Sequence, residues 1–90
     1  MASFSKAALL DPNNSHVWLK WGQLETTLGK FKHDSKIVEN SLTKYERANQ
    51  LDPNQPLLLY YWAETELFLG FQQERLDLII SSKNKILKSL

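Results

Sequence analysis

Apolar and small residues recur along this chain at helical spacing, in two passes that mirror one another. Ile37, Ser41, Tyr45 and Ala48 fall four, four and three residues apart, and Val38, Leu42 and Leu51 widen the same stripe. Such spacing gathers side chains on one side of a helix with about 3.6 residues per turn. Further on, Leu78, Ile79, Ser82, Ile86, Leu87 and Leu90 follow the same schedule. Acidic Glu74 and Asp77 near the start of that second segment, and Lys83, Lys85 and Lys88 near its end, oppose the helix macrodipole at both termini.

The two passes belong to a repeat with an offset of 41 residues, read by laying Asp11-Pro12-Asn13 over Asp52-Pro53-Asn54. The same offset superposes Trp21 on Trp62, Glu25 on Glu66, Leu28 on Leu69 and Gly29 on Gly70. Upstream of the Asp-Pro it pairs Phe4 with Tyr45, Lys6 with Arg47, Ala7 with Ala48 and Leu10 with Leu51. Matches at one constant offset along the whole length mark stacked supersecondary units.

Proline, glycine and asparagine predict where the helices of each unit begin and end. Asn14 is placed to cap a helix over residues 15–28, and Pro56 opens its counterpart over 56–69, where the missing N–H costs nothing. Gly29 and Gly70 then fall where a turn calls for a left-handed residue. A second helix follows each glycine. Residues 4–10 match the end of such a second helix, so the chain is expected to open on the last turns of a preceding unit, as a piece of a longer array. The resulting division is 1–13 for the end of that unit, 14–54 for the first complete repeat and 55–90 for the second. About five helical segments result.

Composition narrows the chemistry. Ninety residues, 42% of them hydrophobic and 23% charged, suit one small folded domain. A net charge of +1 supplies no long-range field to draw in nucleic acid or an anionic membrane. The chain has no cysteine, which excludes disulfides, thiolate catalysis and cysteine-based zinc sites. No apolar run approaches the roughly 20 residues of a membrane-spanning helix, and no signal peptide is evident. Lack of cysteine and an ordinary charge balance lean toward the cytoplasm. His16 and His33 stand seventeen residues apart, without the spacing that holds a metal on one helical face. The three glycines, at 22, 29 and 70, form no phosphate-cradling loop. No enzyme, cofactor or metal site is expected.

On these residues the chain resembles the tetratricopeptide repeat family, whose unit is a helix–turn–helix of about 34 residues with a W-x2-L-G-x2-Y, A-x3-F, A, P pattern. The pattern falls on Trp18, Trp21, Gly22, Glu25, Ser41, Tyr45, Ala48 and Pro53, and again on Leu59, Trp62, Ala63, Glu66, Ser82, Ile86 and Ser89. Where the family uses small residues to let helices approach, both copies are small: Gly22 and Ala63, Ser41 and Ser82, Ala48 and Ser89. Each unit is longer than the family's by about seven residues. The surplus lies in residues 30–40 and 71–81, where it is expected to lengthen the second helix by nearly two turns.

The resemblance implies an all-α, right-handed stack of antiparallel helix-turn-helix repeats, a solenoid fragment. It places Trp18, Trp21 and Trp62 in the core rather than on a base-stacking platform. It also implies a noncatalytic scaffold that binds a peptide or partner helix in a concave groove lined by the first helices. Carried over by position, the groove residues are His16, Leu19, Gln23, Thr26 and Thr27, then Leu57, Tyr60, Glu64, Leu67 and Phe68. Tyr60, Leu67 and Phe68 share a face distinct from that of Leu59, Trp62 and Ala63. An apolar stripe on both sides of a helix calls for a partner, a further helix or a second copy of the chain. The Lys and Asn side chains with which some family members clamp a terminal carboxylate are missing at Leu19, Gln23, Tyr60 and Glu64, so an apolar or aromatic segment is the expected ligand. Two other roles fit the resemblance: a secretion or assembly chaperone cradling a client, and a tether for a catalytic domain elsewhere.

Overall fold

The computed structural model describes residues 2–53 and 55–90, without the side chains of Ala2, Ser3 and Ser5. Asn54, the last residue of the second Asp-Pro-Asn, lies outside the described residues. The described residues form five helices and no strand: α1 Ala2–Leu10, α2 Ser15–Lys32, α3 Ser35–Leu51, α4 Pro56–Gln72 and α5 Leu76–Ser89. They fall into two compact units, Met1–Pro53 with α1 to α3 and Asn54–Leu90 with α4 and α5. The chain is therefore all-α.

Helix starts follow local chemistry. The Asn14 side chain accepts the His16 N–H at 3.0 Å to cap α2, and the Asp34 side chain accepts the Lys36 N–H at 3.0 Å to cap α3. Pro56 is the first residue of α4. At the head of α5 no side chain caps the helix; the Arg75 guanidinium instead reaches Asp77, with Nη2 2.9 Å from Oδ2. That hydrogen bond, with the guanidinium charge behind it, holds the Asp77 carboxyl below its ordinary value against an opposing desolvation.

The glycines overturn the predicted corners. Gly29 and Gly70 are buried inside α2 and α4, which run on to Lys32 and Gln72, and neither has a positive φ. The left-handed residues are His33 and Glu74, each at φ 54. At the first turn the His33 N–H reaches the Lys30 carbonyl at 3.3 Å and the Asp34 N–H the Gly29 carbonyl at 2.9 Å, the paired bonds of a Schellman ending. At the second, the Arg75 N–H reaches the Gly70 carbonyl at 2.8 Å. What both glycines supply is room. A Cβ on Gly29 would strike the Val38 side chain and lie 2.8 Å from the Val38 nitrogen; one on Gly70 would lie 2.7 Å from Ile79 Cγ1. The turn thus falls four residues beyond each glycine, and the surplus residues lengthen both helices of a hairpin rather than the second alone.

Contacts between paired helices run in opposite order along the chain, as two antiparallel hairpins require. In the first, Gly29 meets Val38, Thr26 meets Ser41, Glu25 meets Lys44 and Gly22 meets Tyr45. In the second, Gly70 meets Ile79 and Glu66 meets Ser81 and Lys85. The small residues Gly22, Ser41, Ala48, Ala63 and Ser82 are all buried. A Cβ on Gly22 would sit 2.8 Å from the Tyr45 ring, so a larger residue there would hold the helices apart. In the first unit α1 packs against α2.

Two core assignments need correcting. Trp18, Trp21 and Trp62 are half-buried, and the interior is built instead from Leu19, Val38, Tyr45, Ala48, Leu58, Leu59, Ala63 and Leu69. On α5, Leu78 and Ser82 turn inward while Leu87 and Leu90 are exposed. The last two lie round the helix from Leu78, which the run of apolar letters conceals.

Two substitutions separate volume from backbone freedom. Gly29→Ala, which in an unencumbered helix would stabilise by about 1 kcal/mol, is expected to lower stability by about 1 to 3 kcal/mol through overpacking against Val38. His33→Gly is expected to raise it by about 0.5 to 1 kcal/mol by relieving a left-handed non-glycine residue. Urea unfolding followed by circular dichroism reads both signs.

Candidate functional site

Each hairpin is fastened by the same three side chains. In the first, Lys44 Nζ lies 3.0 Å from Glu25 Oε1 and 4.6 Å from the centre of the Trp21 ring. In the second, Lys85 Nζ lies 2.9 Å from Glu66 Oε1 and 4.4 Å from the centre of the Trp62 ring. All three members are 41 residues from their counterparts. The ammonium reaches across from the second helix, neutralises a carboxylate of the first, and covers an indole face one turn away, where the ring quadrupole attracts it. The half-burial of Trp21 and Trp62 follows from this: their faces are covered by a charge, whose head must stay near water.

The two clasps differ in how well the carboxylate is satisfied. The Ser81 hydroxyl donates to Glu66, at 3.0 Å from Oε2 and 3.2 Å from Oε1, while accepting from Lys85 Nζ at 2.7 Å. Glu66 is only 6% exposed. Asn40, at the position equivalent to Ser81, is exposed, and Glu25 Oε1 is buried without an aligned hydrogen bond. The first hairpin has instead a buried hydroxyl cluster. Thr26 Oγ1 lies 2.9 Å from Ser41 Oγ, 3.2 Å from the Tyr45 hydroxyl and 3.0 Å from the Gly22 carbonyl oxygen. Because the Ser41 hydroxyl donates to the Val38 carbonyl, it accepts from Thr26, and the Tyr45 phenol donates to Thr26 in turn. Leu67, Ser82 and Ile86 hold these places in the second copy, where two of the three groups are apolar.

The residues predicted to face a partner divide between these interiors and the surface. On α2, His16 and Thr27 are exposed and Gln23 is half-buried. Leu19 and Thr26 are buried, which corrects their placement on a binding face. With Gly22 and Gly29 they form a stripe at i, i+3, i+7 and i+10, the side of α2 that meets α3. On α4, Leu57, Tyr60 and Glu64 are exposed, while Leu67 and Phe68 are half-buried. Tyr60 packs edge-on against Tyr61, with ring centres 5.6 Å apart. Phe71, one further turn along the same side, is also exposed, so α4 carries an outward apolar face interrupted by Glu64.

A cleft of about 370 Å³ in the first unit was not foreseen from the sequence. Ala8, Leu9, Pro12, Trp18 and Trp21 line it. Trp18 and Trp21 stack there with ring centres 5.5 Å apart, and the Trp18 Nε1–H donates to the Pro12 carbonyl at 2.9 Å, which ties the Asp-Pro turn to α2. The lining is mostly apolar, and the Trp18 indole donor is already engaged.

Among the described residues no group of three His, Cys, Asp or Glu side chains is placed to hold a metal ion, and no helix is long and apolar enough to cross a membrane. No protein-family model, curated protein or solved structure matches the chain.

The clasps lend themselves to a stability test. Lys85→Ala strips the ionic partner from a nearly buried carboxylate and is expected to cost about 2 to 3 kcal/mol, reduced from the loss at a fully buried pair by residual access to water. Lys44→Ala should cost less, since Glu25 is the more exposed carboxylate. Adding Glu66→Gln to Lys85→Ala should recover part of the loss in a double-mutant cycle read by urea unfolding.

Proposed function

We propose that this chain is a noncatalytic interaction module built of tetratricopeptide-like repeats, which binds an apolar or aromatic peptide or a partner helix through the first helices of its hairpins. The observation that carries the reading is the outward face of α4: Leu57, Tyr60 and Phe71 each leave half or more of their surface in water on a helix whose other sides are already buried. Residues of this kind supply large contact area at modest entropic cost, and they dominate binding energy where they are enclosed. The hairpin does not require Leu57 or Phe71: at the equivalent places α2 has His16 and Lys30. Of the partner-facing residues, Tyr60 and Glu64 are accessible on α4, and His16 and Gln23 on α2. Leu67 and Phe68 contribute from half-buried positions.

Selection from a displayed peptide library against the purified chain tests this directly. Enriched peptides should be rich in aromatic and aliphatic residues, and Leu57→Ala with Tyr60→Ala should weaken their binding about tenfold or more, with helicity by circular dichroism unchanged. Selected peptides that bind the double variant as tightly as the parent would remove α4 as the site.

A further inference from the structure

The helix α5 is apolar on two opposite sides. Leu78 and Ser82 face inward, with Lys85 and Ser89 continuing their row. On the other side Leu76, Ile80, Leu87 and Leu90 are 53% to 97% exposed, and Lys83, also exposed, completes their row. These five residues are spaced four, three, four and three apart, the alternation that lines the seam of paired helices. A row of this spacing over the whole length of a helix has no role in the hairpin itself. The first copy shows this, for the equivalent places on α3 are held by Ser35, Glu39, Leu42, Glu46 and Asn49. Both hairpins form, yet only one carries the second stripe.

Charge decides what fits the stripe. Lys83 lies at the midpoint of the row. The one acidic side chain of the helix, Asp77, is held by Arg75. An antiparallel two-fold pairing of α5 with itself, centred on the row, would set Lys83 against Lys83. An in-register parallel pairing would do the same. Either arrangement desolvates two like charges in an apolar seam, a penalty that selects against it.

We propose that the outer face of α5 docks a helix of a different protein, one with leucine or isoleucine at heptad spacing and a glutamate or aspartate at the centre of its seam, opposite Lys83. The apolar row supplies the contact area, and the ammonium fixes register and rejects partners lacking the acid, as a single polar seam residue does in coiled coils. This surface is separate from the outward face of α4 and does not depend on it.

The test uses the complete 90-residue chain and a synthetic three-heptad helical peptide with leucine and isoleucine at the seam and glutamate at its centre, measured by fluorescence anisotropy. A second peptide carries lysine at the centre. The glutamate peptide should bind at least about tenfold more tightly than the lysine peptide, and Lys83→Glu should reverse that preference. Leu87→Asp should abolish binding of both without changing the thermal melt, since Leu87 is exposed, whereas Tyr60→Ala should leave binding unaltered. Equal binding of the two peptides, or binding that survives Leu87→Asp, overturns the proposal. So does a dimer in sedimentation equilibrium that Leu87→Asp dissolves, which would make a second copy the occupant.

Discussion

The closeness with which two helices can lie together sets most of what this chain does. At Gly29 against Val38, and at Gly70 against Ile79, there is space for a hydrogen and not for a methyl group. Those contacts fall in the last turn of each first helix, next to the turn that reverses the chain. They fix the spacing at the closed end of the hairpin, and the residues above must fill a gap of that width. Gly22 facing Tyr45 is one filling, with the bulk on the second helix. At the same places the second copy has Ala63 and Ile86, which moves one carbon to the first helix and removes a ring from the other. Interiors conserve volume more strictly than identity.

Given that spacing, the charged clasp is possible. A lysine on the second helix can span to a carboxylate and an indole of the first only if the two backbones are near. The better-satisfied clasp belongs to the hairpin without the buried hydroxyl cluster. Thr26, Ser41 and Tyr45 give the first hairpin directional bonds through its middle; the second has apolar groups at two of those places and concentrates its polar contacts on Glu66, Ser81 and Lys85. Polar groups buried in either hairpin specify one register of the pair, because a slip would strand them.

Much of this was legible in the sequence, and the failures have physical causes. Helix type, the antiparallel pairing and the small-residue positions followed from periodicity and from the offset of 41 residues. The asparagine cap and the proline start were local chemistry and needed no tertiary information. Gly29 and Gly70 mislead because glycine has two uses, backbone freedom and absence of volume, and spacing alone does not say which is in force. The true left-handed residues, His33 and Glu74, carry no glycine to announce them. The resemblance alone puts Leu19 and Thr26 at the surface, whereas their phase with Gly22 and Gly29 sets all four on one buried side of α2. The lysine of the clasp was recoverable: Lys44 and Lys85 stand at the same offset as the tryptophans and glutamates they join. What no repeat could show is the cleft beside Trp18, since it depends on how α1 and the Asp-Pro turn fold back over α2.

An internal repeat also offers a control that a single domain lacks. Positions alike in both copies serve the hairpin: Trp21 and Trp62, Glu25 and Glu66, Lys44 and Lys85, Gly29 and Gly70. Exposed positions that differ are free of that duty, and their composition reports on surroundings. By this comparison the second unit carries the larger exposed apolar surface on its two helices. Its first helix replaces His16 and Lys30 with Leu57 and Phe71, and its second replaces Ser35, Glu39, Glu46 and Asn49 with Leu76, Ile80, Leu87 and Leu90. Each exchange puts in place of a polar side chain an apolar one that gains about 1.5 to 3 kcal/mol when fully covered. At fourteen residues, α5 extends about 21 Å, two heptads of seam. That is too short to hold an isolated helix pair together, and much of the gain is spent on ordering the partner. Contacts of that size are reversible on their own, so a partner that engages α4 as well as α5 would be retained far longer than one that engages either alone.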